Sequence, residues 1–166
     1  MVAMTGPGCN VVHWEGFRMT KKLAMATVMV LAMSGMAQAQ AIDPVNTRQT
    51  GMDLLAGTYN FAKAVSAANG DVKTLEGAGK AIQRFGALMP SLFPMGSDKG
   101  ATKAAPAIWA AGPEGAAGFT KAAAALSSAG GTLATAAKAG DAAAVTVAIK
   151  VIGEACGACH KDYRLK

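Results

Sequence analysis

Aromatic residues make up only 5% of this 166-residue chain and charged residues only 16%. The cations are scattered, so there is neither a basic stripe nor a set of rings on which bases could stack, and nucleic-acid binding is excluded. β-Branched residues nowhere alternate with polar ones over a strand's length, so a sheet is excluded as the main architecture. The uncharged apolar run from Leu23 to Met36 falls short of the roughly 20 residues that a membrane-spanning helix requires. The chain has only two histidines and three cysteines.

Much of that poverty concentrates after the N-terminus is set aside. Met19-Thr20-Lys21-Lys22 is a short basic segment, Leu23 to Met36 is its apolar core, and Ala37-Gln38-Ala39-Gln40-Ala41 offers two overlapping small-x-small cleavage sites. These are the three parts of a secretory signal peptide; a membrane anchor or a buried first helix is the competing reading. Residues 1–41 are therefore expected to be a leader cut after Ala39 or Ala41, with Met19 the true start and Met1 to Arg18 an over-extended frame. Residues 42–166, about 125 in number, form one domain. They hold 13 Lys+Arg and 9 Asp+Glu, a net charge near +4 rather than the +6 of the whole chain. Export would deliver the domain to the periplasm, where a mild positive charge could steer an acidic partner.

What is plentiful is alanine, the best helix former. Asp43-Pro44 supplies an N-cap followed by proline at the first helical position. A first helix should run from there to about Ala68, with Val45, Arg48, Met52, Leu55, Tyr59 and Ala62 as its inward seam. Asp71 begins a second, with Leu75, Ile82, Phe85 and Met89 inward, stopping near Pro90. Residues 90–103 read as a loop and 102–109 as a short turn led by Pro106, before Gly112-Pro113 breaks the chain. A third helix should span about Glu114 to Ala139 with Phe119, Leu126 and Leu133 on one face, weakened in the middle by Gly130-Gly131. Gly140 caps it, and Asp141 caps a fourth that runs to about Tyr163. In that helix Val145, Ile149, Ile152, Cys156, Cys159 and Tyr163 share the buried face. The expected fold is all-α, an antiparallel up-and-down four-helix bundle. Its thin, alanine-rich core would accommodate a bulky cofactor. Trp109, Tyr59 and Phe61 are expected to be packing residues.

Cys156-Gly157-Ala158-Cys159-His160 is the strongest signal. C-x-x-C-H is the attachment sequence of a c-type haem. Residues three apart on a helix point to one side, so both sulfurs reach one porphyrin edge and the next residue sets an imidazole over the iron. A thioredoxin-like dithiol would want a βαβ pattern. A structural zinc site needs four ligands, and loss of Cys9 and His13 with the leader leaves three candidates. A disulfide at this spacing would constrain little.

With that motif at the C-terminal end, the chain resembles the cytochrome c′ family, the class II c-type cytochromes, over the whole of residues 42–166. The resemblance rests on Arg48-Gln49-x-x-Met52, Leu92-Phe93-Pro94-x-Gly96, Pro106-Ala107-Ile108-Trp109 and Cys156-x-x-Cys159-His160-x-x-x-Arg164; Gly112-Pro113 departs from the family's unbroken third helix. It implies a bundle around one covalent haem c per chain. It implies that Arg48 and Gln49 approach the haem propionates, that His160 is the proximal iron ligand, that Met52 faces the other side of the iron and that Arg164 sits beside the proximal imidazole. From the residues alone, Arg48 could equally reach solvent, Met52 could be a core filler and Arg164 an exposed cation at a helix end.

The implied function is single-electron transfer through haem iron, with reversible binding of nitric oxide or carbon monoxide. The alternatives are a dedicated low-spin His/Met carrier, or a gas-binding, NO-protective protein with no electron-transfer role. The family resemblance also implies redox partner proteins and a homodimer. An enzyme such as a peroxidase would want a distal acid/base group, and His160 is the one histidine left after the leader.

Overall fold

The computed structural model describes residues 43–166; the expected leader and its cleavage sites lie outside the described residues. Four helices carry the domain: α1 (Pro44–Ala67), α2 (Glu76–Leu88), α3 (Ala116–Ala139) and α4 (Ala142–Tyr163). Three aspartates start the turns as their side chains dictate. Asp43 accepts from the Val45 N–H, Asp71 from Lys73 and Asp141 from Ala144, each at 2.9 Å, satisfying N–H groups that a helix start leaves orphaned. Gly140 closes α3 in the left-handed conformation at φ 75°, a cost-free geometry for glycine.

Two boundaries differ from expectation. Asp71 starts not an α-helix but a tight 3₁₀ turn, Val72–Leu75, on which α2 is stacked. The third helix begins at Ala116 rather than Glu114, because residues 110–115 turn sharply first: the Ala116 N–H donates to the Ala110 carbonyl at 2.9 Å. A Cβ on Gly115 would collide with that same oxygen, so the turn requires glycine there.

α3 is the centre of the bundle and packs most extensively against α2 and α4; α1 lies more loosely against α2 and α4. Leu75, Ile82, Leu133, Val145 and Ile152 are fully buried between them. α3 is continuous through Gly130-Gly131, and close approach of α2 accounts for the first of the two glycines. A Cβ on Gly130 would lie 2.5 Å from the Gln83 backbone nitrogen, and Gly79 and Gly86 of α2 meet the α3 backbone as closely. Backbone-to-backbone contact here replaces side-chain packing, which is how a core so poor in large residues closes.

The two glycines predict opposite outcomes. Helix propensity favours alanine over glycine by about 1 kcal/mol. At Gly131 the neighbour is the end of the Gln83 side chain, 3.0 Å away, which can move. Gly131→Ala should therefore be neutral or raise the melting temperature. At Gly130 the obstacle is backbone, and overpacking costs about 1–3 kcal/mol, so Gly130→Ala should lower it. Thermal unfolding followed by circular dichroism distinguishes the two; equal effects would contradict this packing.

Phe61 was expected to pack but is 51% exposed, and Leu54, one heptad before it on α1, is 69% exposed. No element of the described residues covers that side of α1. Tyr59 is half-buried, its hydroxyl close enough that a Cβ on Gly153 of α4 would sit 2.5 Å away.

Candidate functional site

The looseness of α1 against α4 has a location. A cavity of about 460 Å³ opens there, walled by Arg48, Gln49, Met52 and Asp53 of α1, by Phe93 and the 102–104 segment, by Ile108 and Phe119, and by Cys159, His160, Tyr163 and Arg164 at the end of α4. The segment 103–105 pairs with the chain end: Ala105 donates to the Tyr163 carbonyl at 3.0 Å and Leu165 to the Lys103 carbonyl at 2.8 Å. This short antiparallel bridge fixes where α4 stops and brings Lys103 to the rim beside Arg164. Edge-on aromatic contacts, Phe93 to Phe119 at 4.8 Å and Phe119 to Tyr163 at 5.3 Å, form the back wall, a favoured arrangement of ring quadrupoles. The Tyr163 hydroxyl donates to the Glu114 carbonyl at 3.2 Å.

Cys156 and Cys159 are half-buried free thiols on successive turns of α4, packed against the core. Cys159 lines the cavity directly, while Cys156 lies one turn earlier. Burial pushes both thiols above their ordinary range, and for Cys159 the charges of Cys156 and Asp162 add to this. Among the described residues no group of three or more His, Cys, Asp or Glu side chains converges on a point where a metal ion could be held by protein alone. Partial burial and the neighbouring Arg164 hold the His160 imidazole below its usual range. That is the direction of the neutral form, the one that binds a metal.

Arg48 is 3% exposed, so the solvent-reaching alternative is excluded. Its Nη1 donates to Ser97 Oγ at 2.8 Å, and its Nη2 donates to the Ser97 carbonyl at 2.6 Å and to Thr102 Oγ1 at 2.7 Å. Phe93 and Trp109 flank the guanidinium at 4.8 and 5.8 Å. Gln49 is exposed and donates to the Ala101 carbonyl at 2.7 Å. Met52 is half-buried in the cavity wall, and Arg164 is exposed at its rim.

The sequence motifs thus meet at one place, although Gln49 turns toward the loop. Ser97, Thr102, Phe119 and Tyr163 also belong to the site, with no motif in the sequence to mark them. Tyr163 and Phe119 carried a helical-face signal that read as core. Ser97 and Thr102 are polar loop residues with no periodicity.

The donor set fits a covalently tethered haem. Of two thiols three residues apart, Cys159 borders a largely apolar space and Cys156 lies one turn before it, an imidazole follows them, and the facing wall holds a buried guanidinium whose hydrogen-bond acceptors are all neutral. A family model described as cytochrome C′ matches residues 43–164. The chain is 35% identical over 124 residues to a cytochrome c-556 of Agrobacterium tumefaciens, covering 74% of this chain and 97% of that one. Among solved structures, a nitric oxide complex of a leucine-to-alanine variant of cytochrome c prime from Alcaligenes xylosoxidans superposes with a TM-score of 0.65 at 28% identity, over 74% of this chain and 94% of that one. A cytochrome c′ described as having ligand-controlled dimer dissociation gives a TM-score of 0.67 at 28% identity, over 74% and 95%. The chain belongs to the cytochrome c′ family: it is a four-helix c-type cytochrome with covalently attached haem c.

Proposed function

We propose that this is an exported, one-haem electron carrier whose iron also takes up small gases. Cys156 and Cys159 hold the haem by thioether bonds, His160 is the proximal iron ligand, and Met52 stands on the distal side. The observation that carries this reading is that His160 and Cys159 of α4 and Met52 of α1 line the same cavity. Haem supplies a one-electron Fe(III)/Fe(II) couple; the chain's own residues orient it, exclude water and set its charge environment. Arg48 faces the propionates, and Gln49, at the cavity edge, would approach them by leaving the Ala101 carbonyl. Arg164 lies against the proximal imidazole, in keeping with its effect on His160.

Gas binding is supported by the relative crystallised as a nitric oxide complex. With Met52 rather than a second imidazole on the distal wall, the site suits a carrier and gas binder, not an enzyme. The uncovered apolar stripe of Leu54 and Phe61 supports a homodimer through α1, and the leader supports a periplasmic location with redox proteins as partners.

The test is an anaerobic redox titration of the purified protein, followed by carbon monoxide addition. One reversible one-electron wave accounting for all the haem, with carbon monoxide taken up by the reduced form, is expected. Gas uptake without reversible reduction would leave a gas-binding protein and remove the carrier role.

A further inference from the structure

Arg48 presents an unusual balance. A buried cation normally takes a carboxylate partner, because an uncompensated buried charge is costly. Here every acceptor on the guanidinium is neutral. Those acceptors are themselves locked in place. Ser97 is 7% exposed and its hydroxyl donates to the Pro94 carbonyl at 2.8 Å. Thr102 Oγ1 also accepts from the Ala104 N–H at 3.1 Å. Trp109 Nε1 donates to the carbonyls of Phe93 and Pro94, both at 3.0 Å, so the rings flanking the guanidinium are fixed as well. A guanidinium has five N–H groups; three are spent on Ser97 and Thr102. Those on Nε and the second on Nη1 are left for an anion. The one carboxylate that acts on the guanidinium, Asp43 at the start of α1, is exposed and makes no ion pair with it, so the seat holds the cation with no bonded counter-charge.

We infer that Ser97 and Thr102 are positioning residues that fix Arg48 as an un-neutralised positive charge at the haem propionates and thereby raise the haem midpoint potential. This rests on the proposed placement of the propionates at Arg48. The physical link is Coulombic: a fixed cation near the haem disfavours the form carrying the extra positive charge, Fe(III), and does so more strongly where water is excluded. A guanidinium freed from its seat would move toward solvent and be screened. The ordinary alternative is that these hydrogen bonds merely tie the 94–102 loop to α1, in which case they affect stability alone.

The experiment uses the haem-loaded protein. Midpoint potentials are measured by spectroelectrochemistry, with thermal unfolding in parallel, for Thr102→Val, Thr102→Ser, Ser97→Ala combined with Thr102→Val, and Arg48→Met. Thr102→Val is nearly isosteric, so it keeps the test open should the double variant not fold. Expected are a downward shift of potential in Thr102→Val, a larger one in the double variant, the largest in Arg48→Met, and recovery in Thr102→Ser. A lowered melting temperature with the parent potential in Thr102→Val would overturn the inference. If Arg48→Met lowers the potential while the Thr102 and Ser97 variants do not, the positioning role fails and the propionate placement stands. An unchanged potential in Arg48→Met would remove both.

Discussion

Met52→Ala should leave the haem high-spin, as in the parent, and speed carbon monoxide binding by about tenfold or more. The side chain lies in the cavity wall four residues from Arg48, one turn along the same face of α1. Two properties of methionine pull apart here. Its thioether is a competent haem ligand, and a bond to iron would raise the potential and suit a dedicated carrier. It is also a flexible filler of irregular apolar gaps. The loose seating of α1 against α4 favours the filler: a ligand must hold its sulfur to a bonding distance, whereas a packing group tolerates drift. Relief of crowding worth about 1.4 kcal/mol corresponds to the tenfold change. Absorption spectra and carbon monoxide kinetics of both proteins decide it. A low-spin parent that turns high-spin on mutation would make Met52 a ligand. No change in spectrum or gas binding would take Met52 away from the iron.

Replacing Cys156 and Cys159 together by serine should give a chain that carries no covalent haem and melts without a cooperative transition. The single variants should keep one thioether linkage or none. The effect on folding follows from where the cavity lies. α2 and α3 close on each other through glycine contacts and α4 packs extensively on α3, but α1 meets α4 across the space walled by Met52, Phe93, Phe119 and Tyr163. Without the haem those apolar surfaces face water or an empty gap, and burying one large side chain is worth about 1.5–3 kcal/mol. Two or three such losses approach the whole stability of a small domain, about 5–15 kcal/mol. Haem absorbance of the periplasmic fraction and circular dichroism on heating are the measurements. A sharp transition at the parent temperature in the haem-free chain would mean that the bundle does not depend on its cofactor.

The parts of this molecule legible in its sequence are those set by neighbours along the chain. Asp43, Asp71 and Asp141 cap because a short carboxylate reaches N–H groups two or three residues on. Gly140 ends a helix because it tolerates positive φ. C-x-x-C-H carries its own spacing rule. What was not legible depends on contacts across the fold. Phe61 has the same chemistry whether it packs within the domain or lies open on α1; which side of the helix meets α2 and α4 decides it. Gly130 reads as a flaw in a helix until the Gln83 backbone is found 2.5 Å from where its Cβ would be. Ser97 and Thr102 acquire a role through a residue 49 and 54 positions away, and no local pattern encodes such a distance.

The central claim is that Cys156 and Cys159 hold the haem covalently. Acid–acetone extraction of the purified protein, followed by the intact mass of the precipitate, tests it directly. The account predicts that the colour stays with the protein and that the mass equals the chain plus one haem, with the N-terminus reporting whether cleavage fell after Ala39 or Ala41. Colour passing into the acetone, with the bare polypeptide mass left behind, would contradict it.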